Sequence, residues 1–295
     1  MRHRALVTIP LLLLLPPVAL LLGGCDPPPP KGIEFLPYEA NYASKPDFAR
    51  VEHEKPLLPA DLAKLQPSML NRYDQEQVDQ IYARLTAGPI PDGTYDGDLF
   101  FPKGISGDRR IREIIGGLPG LAVGAKTVKL ELIGKNLWRG KVFFRDERLL
   151  RNRVEDLSVL KPILGGDTSE LRKIEASGKD QWLLFPARLY CGQSLLDSRR
   201  ESVIIDYAYT DEIPGYRERP DFLAGRRGVQ IRDEIRMVRP GFYLGRAYLG
   251  KVFVLNFVLY NKEVAERDGE AYVRTGEVAE DCWAGTQLRR VVAAS

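Results

Sequence analysis

Histidine is nearly absent. The 295-residue chain has two, His3 and His53, and the first lies in an N-terminal segment whose pattern marks it for removal. A multi-histidine metal centre is excluded, and one imidazole remains for general-base work. Cysteine is scarce as well: Cys25, Cys191 and Cys282 are too few for a four-cysteine zinc site. Excess charge of one sign is also missing. Forty-three lysines and arginines stand against 40 aspartates and glutamates, for a net charge of +3, a balance that argues against a nucleic-acid partner. There is no Walker phosphate loop, dinucleotide fingerprint or Gly-x-Ser-x-Gly elbow. The glycine-rich stretch at 116–120 lacks the lysine of a phosphate loop and contains Pro119. No cofactor or metal follows from the sequence, and no solenoid-period repeat is present. At 44% hydrophobic and 28% charged residues, the chain has an ordinary foldable composition.

The N-terminus reads as an address. Arg2, His3 and Arg4 precede an almost wholly apolar run over residues 5–22, the layout of a secretory signal. Pro10, Pro16 and Pro17 interrupt that run and argue against a spanning helix. The run ends on Leu22-Gly23-Gly24-Cys25. A large apolar residue, two small ones and a cysteine resemble the lipobox of bacterial lipoproteins, in which the preceding peptide is cut off and the cysteine carries lipid. The resemblance implies a signal peptide over 1–24, lipidation of Cys25, membrane lipid as a partner, and a place in the bacterial cell envelope facing the periplasm. Asp26 resembles the inner-membrane retention signal of enteric bacteria and favours that membrane. Each buried acyl methylene contributes roughly 0.8 kcal/mol, so several chains make release slow. The four prolines at 27–30 form a stiff spacer of about 3 Å per residue. Residues 25–58 are expected to be a proline-rich tether that packs on the domain only in part.

A β-rich domain is expected over 59–262, and a weakly patterned tail over 263–295. Val78, Ile81, Tyr82 and Leu85 recur at helical spacing. Asp74 and Gln77 stand as a capping box before them, and Gly88-Pro89 closes the segment. Strands are predicted near 99–101, 128–133 and 138–144, with a short helix at 108–115. Residues 149–182 are ambiguous. From Pro186 onward strands follow at 188–195, 201–209, 229–238, 242–249 and 251–260, separated by turn dipeptides such as Pro240-Gly241 and Leu249-Gly250. The fold class is mainly β within an α+β chain. It is an antiparallel, barrel-like or strongly curved sheet with short N-terminal helices.

A two-residue turn at Pro240-Gly241 sets a testable register. It places Asp233, Ile235, Met237, Arg239, Phe242, Leu244, Arg246 and Tyr248 on one face, with Phe253, Leu255 and Phe257 joining from the next hairpin. Gln230, Arg232, Glu234 and Arg236 then face solvent. Asp233 and Arg246 become inward charges on a cross-strand diagonal, either a structural ion pair or polar anchors of a ligand cavity with Tyr248 as a hydroxyl donor. Tyr207 in the neighbouring strand is a further candidate, though core packing is the commoner use of such a residue. Cys191 and Cys282, in an oxidising compartment, are expected to pair; the alternative is two separate thiols. A catalytic cysteine would lack a histidine partner, because His53 lies in the tether.

The order of motifs also resembles an uncharacterised bacterial family with a Gly-x-Trp-x-Gly signature. The matching residues are Gly93, Tyr95 and Gly97, then Trp138, Gly140 and Lys141, then Ala187-Arg188-Leu189, Asp206-Tyr207, Asp233 and Leu244-Gly245. Tyr95 stands where the signature has tryptophan. The resemblance implies a compact, lipocalin-like β shape with no established activity. The leading expectation is a non-enzymatic envelope lipoprotein binding a small hydrophobic ligand. The alternatives are a scaffold with a filled barrel that meets an envelope protein partner, and an enzyme using inward carboxylates.

Overall fold

The computed structural model describes residues 32–38, 47–104, 137–164 and 168–285. The signal, Cys25, Asp26 and the proline spacer lie outside the described residues, as do the helix expected at 108–115 and the strand expected at 128–133.

Among the described residues, nine strands form one antiparallel sheet: β1 (Gly93–Phe100), β2 (Trp138–Phe144), β3 (Leu149–Val154), β4 (Lys173–Ala176), β5 (Lys179–Gln193), β6 (Glu201–Asp206), β7 (Ile231–Arg239), β8 (Phe242–Leu249) and β9 (Val252–Tyr260). Their order is β3-β2-β1-β9-β8-β7-β6-β5-β4, and a further pairing of β3 with β5 closes eight of them into a barrel. The expected barrel-like antiparallel sheet is therefore the observed one. Closure removes the sheet edges that an open sheet would expose.

The ambiguous residues 149–182 hold the short strands β3 and β4 and the start of the long strand β5. It runs for 15 residues but changes partner partway, from β4 to β6. At the change Phe185 has φ 50°, and Pro186 has no N–H to donate. The Phe185 N–H donates instead to Asp221 Oδ1 at 2.7 Å. The register with β3 shifts at the same level, between Leu150 and Asn152. Period-two patterning cannot survive such a break.

Helices α1 (Phe48–Glu54), α2 (Pro59–Lys64) and α3 (Gln75–Arg84) precede the barrel, and α4 (Lys262–Thr275) follows it. The capping box of Asp74 and Gln77 is present at the start of α3. Helix α1 falls inside the segment read as tether, yet Val51 is fully buried and Glu52 accepts from both Arg199 and Arg200. The packed structure thus begins before residue 59 and extends past residue 262. After α4, Gly88 N–H donates to Glu280 and Ile90 N–H to Asp281, at 2.9 and 2.7 Å, while Tyr243 Oη donates to Pro89 O at 2.6 Å. Cys282 is bonded to Cys191, with Cα atoms 5.3 Å apart. These contacts hold the tail and the segment around Gly88 against the Cys191, Met237 and Tyr243 end of the barrel. Among the described residues no helix is long and apolar enough to cross a membrane.

Candidate functional site in the barrel interior

The β7–β8 hairpin turns at Pro240-Gly241, but a bulge follows at once. Arg239 faces Phe242, whereas Met237 faces Tyr243, leaving Val238 as an extra residue. The Met237 N–H donates to Thr86 O instead, at 2.9 Å. One inserted residue moves β8 by one place, and a one-place slip reverses every facing side chain. Asp233 lies opposite Ala247, and Arg246 lies opposite Glu234. The expected Asp233–Arg246 diagonal therefore does not exist, because the two side chains leave opposite faces of the sheet. Leu244 and Tyr248 move to the outer face with Arg246. A second bulge, between Ala247 and Tyr248, sends Phe253 outward as well, and its ring lies 4.0 Å from the Arg246 guanidinium.

Asp233 does face inward, and its partner comes from across the barrel. Lys141 Nζ donates to Asp233 Oδ2 at 3.1 Å, with the two side chains 3% and 6% exposed. Lys141 is on β2 and Asp233 on β7, which stand diametrically opposed in the strand order. Such a bridge can form only through the interior. Lys141 Nζ also donates to Tyr207 Oη at 2.7 Å and Asn152 Oδ1 at 2.8 Å. Asn152 Nδ2 donates to Tyr207 Oη at 2.9 Å, and Trp138 Nε1 to Asn152 Oδ1 at 2.9 Å. The Trp138 and Phe257 rings each lie 5.4 Å from the ammonium, within the range of cation–π attraction.

Local sequence places each of these groups. Gly97 admits Trp138, since a Cβ there would meet the indole at 2.4 Å. Gly140 has φ 130°, and a Cβ there would meet Tyr95 O at 2.0 Å, so β1 and β2 approach closely just before Lys141. Tyr207 follows the end of β6 and points inward with Ile205. Burial pushes the Asp233 carboxyl above its usual range, against the pull of Lys141. Burial pulls Lys141 down, but Tyr207 and Asp233 overcome it and hold the ammonium above its usual value. Burial likewise raises the Tyr207 phenol against Lys141. Burial thus opposes charge on Asp233 and Tyr207, while their proximity favours the charged form of Lys141.

Arg246 and Tyr248 form a separate cluster beneath α3. Arg246 Nη1 donates to Asp79 Oδ1 at 2.5 Å and Nε to Tyr248 Oη at 3.0 Å. Glu234 and Arg236, expected in solvent, are fully buried because α3 covers this outer face. Arg236 donates to Ser202 Oγ, to Tyr82 O and to Asp197 Oδ2. So the structure brings Asp233 and Tyr207 together and leaves Arg246 and Tyr248 outside the barrel wall. The residues that sequence reasoning passed over are Lys141, present only within the family resemblance, and Asn152, which gave no signal. His53 is exposed on α1.

No family model and no curated protein matches this chain. A crystal structure of a protein from Thermomonospora curvata is similar, at 18% identity over 64% of this chain and 88% of that chain, with a TM-score of 0.33.

Proposed function

We propose that this chain is a bacterial envelope lipoprotein, anchored through a lipidated Cys25, whose barrel binds a small hydrophobic ligand at the Lys141–Asp233–Tyr207–Asn152 centre. The observation that carries the binding reading is the convergence of four polar side chains, from β2, β3, β7 and the end of β6, on one point of an otherwise apolar interior. Stability alone gives little reason for them, because well-packed apolar residues serve a core as well as a buried ion pair does. A few convergent polar groups within apolar walls are the usual composition of a ligand site. The lipobox resemblance supports an anchor facing the periplasm, with the proline spacer between lipid and barrel, and Asp26 favours the inner membrane.

One observation favours a filled scaffold barrel as the second reading. Tyr95 stacks edge-on against both Phe143 and Tyr243, and Trp138 against Phe257, so aromatic rings occupy much of the interior. Native mass spectrometry of the detergent-extracted full chain separates the two. Retained ligand that is lost in Lys141→Met supports binding. A wild-type chain that carries none, and takes up none from envelope lipid extract, refutes it. For the anchor, Cys25→Ser should leave the precursor uncleaved and unlabelled by radioactive palmitate. Normal processing of that variant would refute lipidation.

A further inference from the structure

The charge balance of the centre selects among ligand classes, an inference that rests on the binding reading above. Lys141 is already neutralised by Asp233, and its three ammonium hydrogens have three acceptors, Asn152, Tyr207 and Asp233. A carboxylate entering here would compete with Asp233 for one cation and leave a buried anion without a counter-charge. An amine would compete with Lys141 for one carboxylate and leave a buried cation. Both are strongly disfavoured in an enclosed apolar site.

One donor in the centre is poorly used. Tyr207 Oη accepts short bonds from Lys141 and Asn152, but among the described residues its own proton has only Asp233 Oδ2, 3.5 Å away. A good hydroxyl bond to oxygen is about 2.7 Å. An acceptor oxygen placed beside Tyr207 would take this proton and leave the ion pair intact. We infer that the site is selective for a neutral apolar ligand carrying a carbonyl or hydroxyl oxygen, which accepts from Tyr207, and that it rejects carboxylates and amines of the same chain length.

The test uses the full chain in detergent, with Trp182 and Trp283 replaced by phenylalanine so that Trp138 reports. Emission is titrated at pH 7 with 2-decanone, decanoate and decylamine. The ketone is expected to bind at least about tenfold more tightly than either charged probe, and Tyr207→Phe to lower its affinity by about tenfold. Asp233→Asn leaves Lys141 without its carboxylate and should shift the preference to decanoate. If that variant does not fold, the wild-type ranking decides alone. Decanoate or decylamine binding as tightly as the ketone would overturn the inference while leaving the binding reading intact. Saturation by none of the three would overturn both.

Discussion

At the scale of single residues, the interior turns on Lys141. Its ammonium is buried and has three acceptors, so its worth lies in the partners it satisfies rather than in the net pair. Lys141→Met leaves Asp233 buried without a cation, and Asp233→Asn leaves the ammonium without its carboxylate. Each is expected to destabilise the fold by about 3–5 kcal/mol in urea unfolding. The double variant Lys141→Met/Asp233→Asn should cost clearly less than the sum, since each change removes the penalty of the other. Additive losses would show that the two side chains do not act as a pair. Asp233 was legible in the sequence because alternation fixes the face of a residue within its own strand. Arg246 was not, because its face depends on whether the hairpin carries an extra residue, and nothing in the Val238-Arg239-Pro240-Gly241 sequence announces the bulge.

At the scale of elements, α3 lies on the outside of the barrel over a polar surface. Gln75 bonds to Asn256 on β9, Asp79 to Arg246 on β8, and Tyr82 to Ser202 on β6. The apolar stripe of Val78, Ile81, Tyr82 and Leu85 is buried, but so are Gln75, Asp79 and Gln80. The helical period was legible from the stripe, while the polar interface was not, because each polar group is matched by a residue distant in sequence. Beside α3, Asp197 bonds to Arg199 and Arg236. Burial raises its carboxyl, yet the two guanidiniums outweigh burial and hold it below the usual aspartate range. A folded pKa below the unfolded one means stability that is fully present above about pH 4 and lost as pH falls through the lowered value. The urea midpoint of the wild type should therefore fall toward that of Asp197→Asn as pH drops from 6 to 2. A constant difference between the two across this range would refute the assignment. Asp221 and Asp233 are shifted the other way by burial, so the comparison with the variant, not the wild-type curve alone, carries the sign.

At the scale of the whole molecule, the barrel is completed by chain from both of its flanks. The tail bonds to the segment around Gly88, and the Cys191–Cys282 bridge spans 91 residues of sequence. Cross-linking so long a loop restricts the unfolded chain, and reduction or Cys282→Ser should lower stability by roughly 2–4 kcal/mol. An unchanged melting temperature in reducing buffer, with free thiols verified, would show that the bridge contributes nothing. By itself the sequence determined the β-rich class, the strand positions from Pro186 onward, the capped α3 and the lipobox resemblance, because each depends on spacing within a few residues. Only the tertiary structure decided which charges meet. Lys141 and Asp233 are brought together from opposite walls by closure of the barrel, and Arg246 is turned away by one bulged residue. Both outcomes depend on register summed around a closed sheet, a property that no local window of the chain contains.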